Sequence, residues 1–334
     1  MEGHMKYIEN YCNDPRYNLA FEEYCFKNLP RDEDYILLWI NGPAIIIGKN
    51  QNTLEEVNSE YVKENNINVV RRITGGGAVY HDLGNLNFSI ITNADGSSVI
   101  DFKKYNLSIL EALKKLGVEC ELSGRNDITI DGKKFSGIAQ SIWKDRVLNH
   151  GTLLFDTKLD VLSKALNVKQ DKIESKGVKS VKSRVTNIKD YLNVDVDIDE
   201  FRQVLVKSVL KTDDVQSNIL KLSDQELAEI DKLFEEKYST WDWNYGHSPT
   251  FNYKNYRRFP FGAIEVRLEV KNGNINECKI YGDFFGTKDI EKLEEKIRGL
   301  KYERDFLQNA LKEVNLKEYF GDISLDDFLN LLTE

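Results

Sequence analysis

Residues 71 to 85 concentrate the chemistry of this chain: Arg71-Arg72-Ile73-Thr74-Gly75-Gly76-Gly77-Ala78-Val79-Tyr80-His81-Asp82-Leu83-Gly84-Asn85. Three consecutive glycines weaken any helix or strand, so they answer a backbone need, either positive φ or a ligand lying against the main chain. Exposed amides in such a loop form a concave anion site, and Arg72 can offer a forked donor to a carboxylate or a phosphate. A flexible hairpin turn is the plain alternative. The segment is not a Rossmann or Walker element. The chain holds no G-x-G-x-x-G, and Gly132-Lys133-Lys134 lacks both the Ser/Thr and the upstream glycine of a P-loop.

Two further clusters carry charge. Ser123-Gly124-Arg125-Asn126-Asp127 precedes a hairpin that brings in Lys133-Lys134-Phe135-Ser136-Gly137. Neighbouring residues of a strand point to opposite faces, so only one of Lys133 and Lys134 can face a pocket beside Asp127. Taken alone, a lysine pair reads as solvated surface. Lys176-Gly177-Val178-Lys179-Ser180-Val181-Lys182-Ser183-Arg184 also reads, in isolation, as a basic solvated loop.

The elements that must position these groups follow from periodicity and turn chemistry. Tyr35 to Asn41 and Ala44 to Asn50 read as a strand pair around Gly42-Pro43. Thr53 and Glu56 form a capping-box pattern that opens a helix to about Asn66. Strands follow at Val69 to Thr74 and Leu86 to Thr92. Phe102 to Leu116 has helical spacing and stops at Gly117. Ile128 to Trp143 and Leu148 to Phe155 read as hairpin strands, with Asp131-Gly132 as the first turn. Helices are expected at about Leu159 to Leu166, Asp199 to Leu210 and Ser223 to Tyr238. Beyond Trp241 to Gly246 the alternation Ile264, Val266, Leu268, Val270 and the Asn272-Gly273 turn begin a small α+β module that ends in three helices.

Composition bounds the function. A chain of 334 residues with 41% hydrophobic content can bury two cores, and the expected division is 5–246 and 247–334. Net charge −9 argues against nucleic-acid or anionic-membrane partners, and no apolar run approaches the roughly 20 residues of a membrane span. Met1 to Met5 read as an added leader, with the natural start at Met5. Cys12, Cys25, Cys120 and Cys278 form no CxxC pair and the four histidines no HxxxH, so no zinc site is expected. Sparse cysteines suit a reducing cytoplasm.

Four segments together resemble the lipoate-protein ligase family: RRITGGGAVYHDLGNLNFS (Arg71 to Ser89), SGRNDITIDGKKFSG (Ser123 to Gly137), HGTLLFD (His150 to Asp156) and KGVKSVKSRVTNI (Lys176 to Ile188). YNLAFEEY (Tyr17 to Tyr24) and WDWNYGHSP (Trp241 to Pro249) extend the resemblance over nearly the whole chain, in the two-domain bacterial form. It implies an α+β fold: a large catalytic domain related to biotin ligases, with a mixed β-sheet flanked by helices, plus a small α+β accessory domain.

It further implies that ATP, with Mg²⁺ on its phosphates, adenylates lipoic acid. The lipoyl group then passes to a lysine of an apo lipoyl domain, in a 2-oxoacid dehydrogenase acyltransferase or the glycine-cleavage H protein. Carried over by position, Arg72 and the Gly75 to Tyr80 loop would contact lipoate and ATP, and Lys134 would be the central catalytic lysine. Asn85, Asp127 and His150 would line the pocket, and Lys176 to Ser183 would close over the adenylate. The rivals are a cysteine-dependent lipoyl or octanoyl transferase, for which Cys120 is the candidate, and a non-catalytic lipoate-binding protein.

Overall fold

The segment Asp34–Ile40 is apolar at almost every position, the pattern of a strand covered on both faces. In the computed structural model, which describes residues 5–94, 107–123, 127–166, 185–245, 253–271 and 273–333, it is the second strand, β2, of a seven-stranded sheet. Its neighbours are β1 (Met5–Glu9) on one side and β6 (Asn85–Asn93) on the other; then come β10 (Arg146–Leu154), β9 (Lys133–Trp143), β8 (Asp127–Ile130) and β7 (Glu121–Ser123). β1 runs parallel to β2 and the other adjacent pairs are antiparallel, so the sheet is mixed. Helices Leu107–Lys115 and Ile198–Leu210 cover one face through Ile109, Leu113, Phe201 and Leu205. Helices Pro15–Asn28 and Asp224–Leu233 belong to the opposite core, with Phe21, Phe26 and Ile230.

A second, three-stranded sheet places β3 (Ala44–Ile47) between β4 (Asn68–Arg71) and β5 (Val79–His81). The third is antiparallel: β11 (Tyr253–Phe259), β12 (Gly262–Lys271) and β13 (Asn274–Gly282). Ile264, Val266 and Leu268 alternate inward from β12 onto helices Ile290–Ile297, Arg304–Leu311 and Leu325–Thr333, giving this part its own core. Among the described residues no helix is long and apolar enough to cross a membrane.

The structure departs from expectation in two connections. β2 and β3 are not a hairpin. Each is apolar on both faces, so no alternation ties one to the other, and the Gly42 amide turns to Asn13 O at 2.8 Å while β3 joins the smaller sheet. The helix expected from Thr53 to Asn66 is broken in two, Thr53–Glu56 and Ser59–Glu64. Val57 leaves the helix to bridge Leu166, and Asn58 caps the second piece at the Tyr61 amide. The Thr53 hydroxyl is spent on Asn244 O, 2.7 Å away, instead of capping. The Asp131-Gly132 turn forms as its residues require, with φ of 50° and 72°.

Candidate active site

Register carries side chains in rows across the large sheet. Trp39 of β2 pairs with Asn87 of β6, and Asn87 with Thr152 of β10. The Thr152 hydroxyl accepts from the Gly137 amide of β9 at 3.2 Å. The adjacent row runs Leu37, Ser89, His150, Ala139. With the glycine loop these rows bound a cavity of about 130 Å³, whose apolar walls include Leu19, Trp39, Ile46, Val79, Ile138 and Phe285. Lys134, His81 and His150 are its ionisable side chains besides Arg72.

Lys134 reaches this cavity through a register shift. The β8–β9 ladder pairs Thr129 with Lys134 but Ile128 with Ser136, so one extra residue, Phe135, is inserted. Strict alternation would put Lys134 on the face opposite Gly137. The bulge reverses the parity and brings both to the cavity. Lys134 Nζ lies 2.7 Å from Asp127 Oδ1, and a Cβ at position 137 would stand 3.1 Å from that nitrogen. Glycine at 137 therefore leaves the lysine its space. Lys133 is exposed. Val185 forms a parallel bridge to Lys134, and the Thr186 amide donates to Lys134 O at 2.9 Å.

The glycine loop is held from two sides. Arg72, 6% exposed, donates through Nε to Thr74 Oγ1 (2.9 Å), through Nη1 to Ile46 O (3.1 Å), and through Nη2 to Gly75 O (2.6 Å) and Gly77 O (2.9 Å). Its fork is thus turned onto loop carbonyls, where the sequence suggested a carboxylate or phosphate. Burial lowers its pKa to about 10, which leaves it charged at neutral pH. From the other side, the Gly76 amide donates to Phe284 O at 3.4 Å. A Cβ on Gly75 would sit 2.5 Å from that oxygen, and one on Gly76, where φ is +91°, 2.6 Å from the Phe285 ring. These two glycines admit the approach of the loop after β13. Gly77 has open space in front of it.

Thr74 extends the bracing inward. Its hydroxyl accepts from Arg72 and lies 2.8 Å from His150 Nε2, while His150 Nδ1 lies 2.8 Å from Glu22 Oε1. Ser89 also donates to Glu22 Oε1. Helix Pro15–Asn28, the glycine loop and β10 are locked together by one buried polar chain.

Residues 14–210 match the family described as Lipoyl protein ligase A/B catalytic domain, and residues 248–332 match Bacterial lipoate protein ligase C-terminus. The chain is 52% identical over 331 residues to Lipoate-protein ligase LplJ of Bacillus subtilis (strain 168), covering 98% of this chain and 100% of the relative. It is 46% identical over 330 residues to Lipoate--protein ligase 1 of Staphylococcus aureus (strain Mu50 / ATCC 700699), covering 98% and 100%. The chain belongs to the lipoate-protein ligase family. Among solved structures, P. falciparum LipL1 in complex with lipoate superposes with a TM-score of 0.78 at 28% identity, covering 98% of this chain and 97% of that one. Lipoate-protein ligase A bound with ATP superposes at 0.60 with 32% identity, covering 74% and 99%.

Within this lipoate-protein ligase fold the residues singled out from sequence divide. Arg72, Gly76, Gly77, Ala78, Val79, Lys134 and His150 line the cavity. Tyr80 packs into the core of the smaller sheet, and Asn85 is buried with its Nδ2 donating to Asn87 Oδ1 at 3.0 Å. Asp127 reaches the site only through Lys134. Gly75 faces a larger, open cleft of about 990 Å³, lined by Arg71, Lys49 and Lys237. Gly124, Arg125, Asn126 and Lys176 to Ser183 lie outside the described residues. Sequence reasoning missed Glu22, Trp39, His81 and Phe285. The first sits within YNLAFEEY, where an acid in a helix looks ordinary. Nothing local marks Phe285, which comes from the far end of the chain.

Proposed function

We propose that this chain joins lipoic acid to a protein lysine at the expense of ATP, and that residues 5–246 form its catalytic part and 247–334 an accessory one. The observation that carries the reading is the Lys134 ammonium, held at 2.7 Å by Asp127 at the β9 side of a mainly apolar cavity. A carboxylate is a poor electrophile, and adenylation overcomes this: a lipoate oxygen attacks the α-phosphorus, the bond to the β-phosphate oxygen breaks, and pyrophosphate departs with the electron pair. Both reactants are anions. Lys134 can hold the carboxylate and α-phosphate together, and the open face at Gly77 can accept an anion without side-chain obstruction. Mg²⁺ would arrive on the phosphates and neutralise their charge; among the described residues no group of three metal-ligating side chains competes for it. The acceptor amine then attacks the mixed anhydride, the bond to AMP breaks, and the amine proton leaves to solvent. Lys134 supports the developing carbonyl oxyanion.

The acceptor is proposed to be an apo lipoyl domain, of a 2-oxoacid dehydrogenase acyltransferase or the glycine-cleavage H protein, and the setting the cytoplasm. An archaeal bi-partite lipoate protein ligase studied with its E2 lipoyl domain, 33% identical over 76% of this chain with a TM-score of 0.64, supports this partner class. A cysteine-dependent transfer has less support. Cys120 packs on the main core rather than lining the cavity, and burial pushes its thiol up to about 11, far from a ready nucleophile. The test is lipoate-dependent ATP/pyrophosphate exchange with Mg²⁺, followed by transfer to an apo lipoyl domain, in the wild type and Cys120→Ala. Exchange retained in both is the expected result; transfer that ignores ATP and needs Cys120 would overturn the reading.

A further inference from the structure

Among the described residues, two nitrogens of cavity-lining side chains have no hydrogen-bond partner, Trp39 Nε1 and His81 Nε2. His81 is 5% exposed and lines the cavity; its Nδ1 lies 2.9 Å from Asn41 Nδ2, and its Nε2 is buried without a hydrogen bond. Three asparagines establish which ring nitrogen carries the hydrogen. Asn18 Nδ2 stands 2.8 Å from the Cys12 backbone carbonyl, which can only accept, so that end of the Asn18 amide is its NH₂. The same nitrogen lies 2.8 Å from Asn41, which must present oxygen there. Asn18 Oδ1 in turn accepts from Asn10 Nδ2 at 2.9 Å, consistent with that orientation. Asn41 therefore aims its own NH₂ at His81, and Nδ1 is an acceptor. Burial, helped by the charge of Arg72 and by His150, lowers the His81 pKa to about 3, so the ring is neutral and its hydrogen is on Nε2. The outcome is an oriented N–H lining the cavity with no acceptor among the described residues.

Its position in the cavity indicates what it meets. Asn41 directly follows β2, whereas Lys134 is on β9, and the order β2-β6-β10-β9 separates those strands by three spacings, roughly 14 Å at about 4.8 Å each. An acid with its carboxylate at Lys134 extends its far end toward β2 and His81. We propose that the His81 Nε2–H recognises a hydrogen-bond acceptor at the far end of the acyl chain, a ring sulfur of lipoate, and so sets the preference for a sulfur-bearing acid over a plain fatty acid. This rests on the ligase reading above. Sulfur is a weak acceptor, but a methyl-terminated chain would leave the buried donor with none, a difference on the order of 10-fold in kcat/KM. Asn41, Asn18 and Asn10 act as positioning residues by holding the tautomer.

The experiment compares lipoate with octanoate in Mg²⁺-dependent pyrophosphate exchange, for wild type and His81→Phe, alongside ¹⁵N NMR of the histidine rings of the wild-type protein. The wild type should favour lipoate. In H81F, the lipoate-to-octanoate ratio of kcat/KM should fall about 10-fold. The NMR should show Nδ1 bare and Nε2 protonated at neutral pH, with the Nε2–H resonance moved by lipoate and little affected by octanoate. Equal losses on both acids, an unchanged ratio, or an Nδ1–H tautomer would each overturn the proposal. Absence of any wild-type exchange would instead count against the ligase reading, and the NMR arm would still decide the tautomer and its response to lipoate. If H81F does not fold, that arm decides alone.

Discussion

Lys134 Nζ stands 2.7 Å from Asp127 Oδ1 across the β8–β9 hairpin, while its neighbour Lys133 is exposed. The pair is partly open to solvent, with side-chain exposures of 35% and 38%, so its role is to aim the ammonium rather than to stabilise the fold. Lys134→Ala is expected to lower both pyrophosphate exchange and single-turnover transfer from preformed lipoyl-AMP by about 10²- to 10³-fold. Lys133→Ala should stay near wild type in both assays, with circular dichroism as the folding control. Lys134→Arg should also fail, because a wide planar fork does not replace a compact ammonium.

Two glycines on adjacent strands separate activity from stability. A Cβ at Gly137 would meet the mobile end of Lys134 at 3.1 Å, which can move aside, whereas one at Gly151 would meet the Phe88 ring at 2.7 Å and Gly137 O at 2.9 Å. Gly137→Ala should therefore cost on the order of 10-fold in rate through a displaced ammonium, with little change in Tm. Gly151→Ala should cost about 1–3 kcal/mol of stability from overpacking, measured by urea denaturation.

Arg71, adjacent to the loop-bracing Arg72, clamps another part of the chain. Nη1 donates to Gly48 O, Lys49 O and Gln51 O at 3.0, 2.9 and 2.7 Å, Nη2 to Thr53 Oγ1 at 2.6 Å, and Nε to Trp243 O at 3.0 Å. Arg71→Met abandons several buried acceptors at once and should destabilise the protein by at least about 3 kcal/mol. The Trp243 indole N–H donates to Arg71 O at 2.8 Å, so tryptophan emission can follow the loss.

His81 gives stability a pH dependence of defined sign. Its folded pKa, about 3, lies below the ordinary histidine value of 6.5 because burial disfavours the charged ring. The unfolded chain takes up this proton first as pH falls, so the contribution is complete above pH 6.5 and is lost progressively toward about pH 3. Urea midpoints at pH 7, 5.5 and 4.5 should decline, and the decline should be shallower in His81→Phe.

The fold was legible where local chemistry decides it. The Asp131-Gly132 turn, the helix ending at Gly117 with φ of +78°, and the alternation of β12 each depend on residues within a few positions of one another. It was not legible where an apolar run fits either of two sheets, as for β3, or where a distant carbonyl claims a capping residue, as Asn244 O claims Thr53. Among the site residues, the family resemblance marked Lys134 and the glycine run announced itself. Trp39 and Glu22 did not, because an aromatic in an apolar strand and an acid in a helix look ordinary in sequence.

By itself the sequence determined the inventory of the site: a glycine-rich loop flanked by arginines, a hairpin that presents one of two lysines, and motifs specific enough to indicate the family. Tertiary structure alone decided what each polar group is spent on. The Arg72 fork closes on loop carbonyls, Phe285 reaches the cavity from 210 residues beyond Gly75, and the His81 tautomer depends on asparagines 40 to 71 positions earlier. Side-chain type is encoded at one position, but a hydrogen bond's direction and a buried group's charge are set by whichever atoms packing brings within 3 Å, and those partners are scattered along the chain.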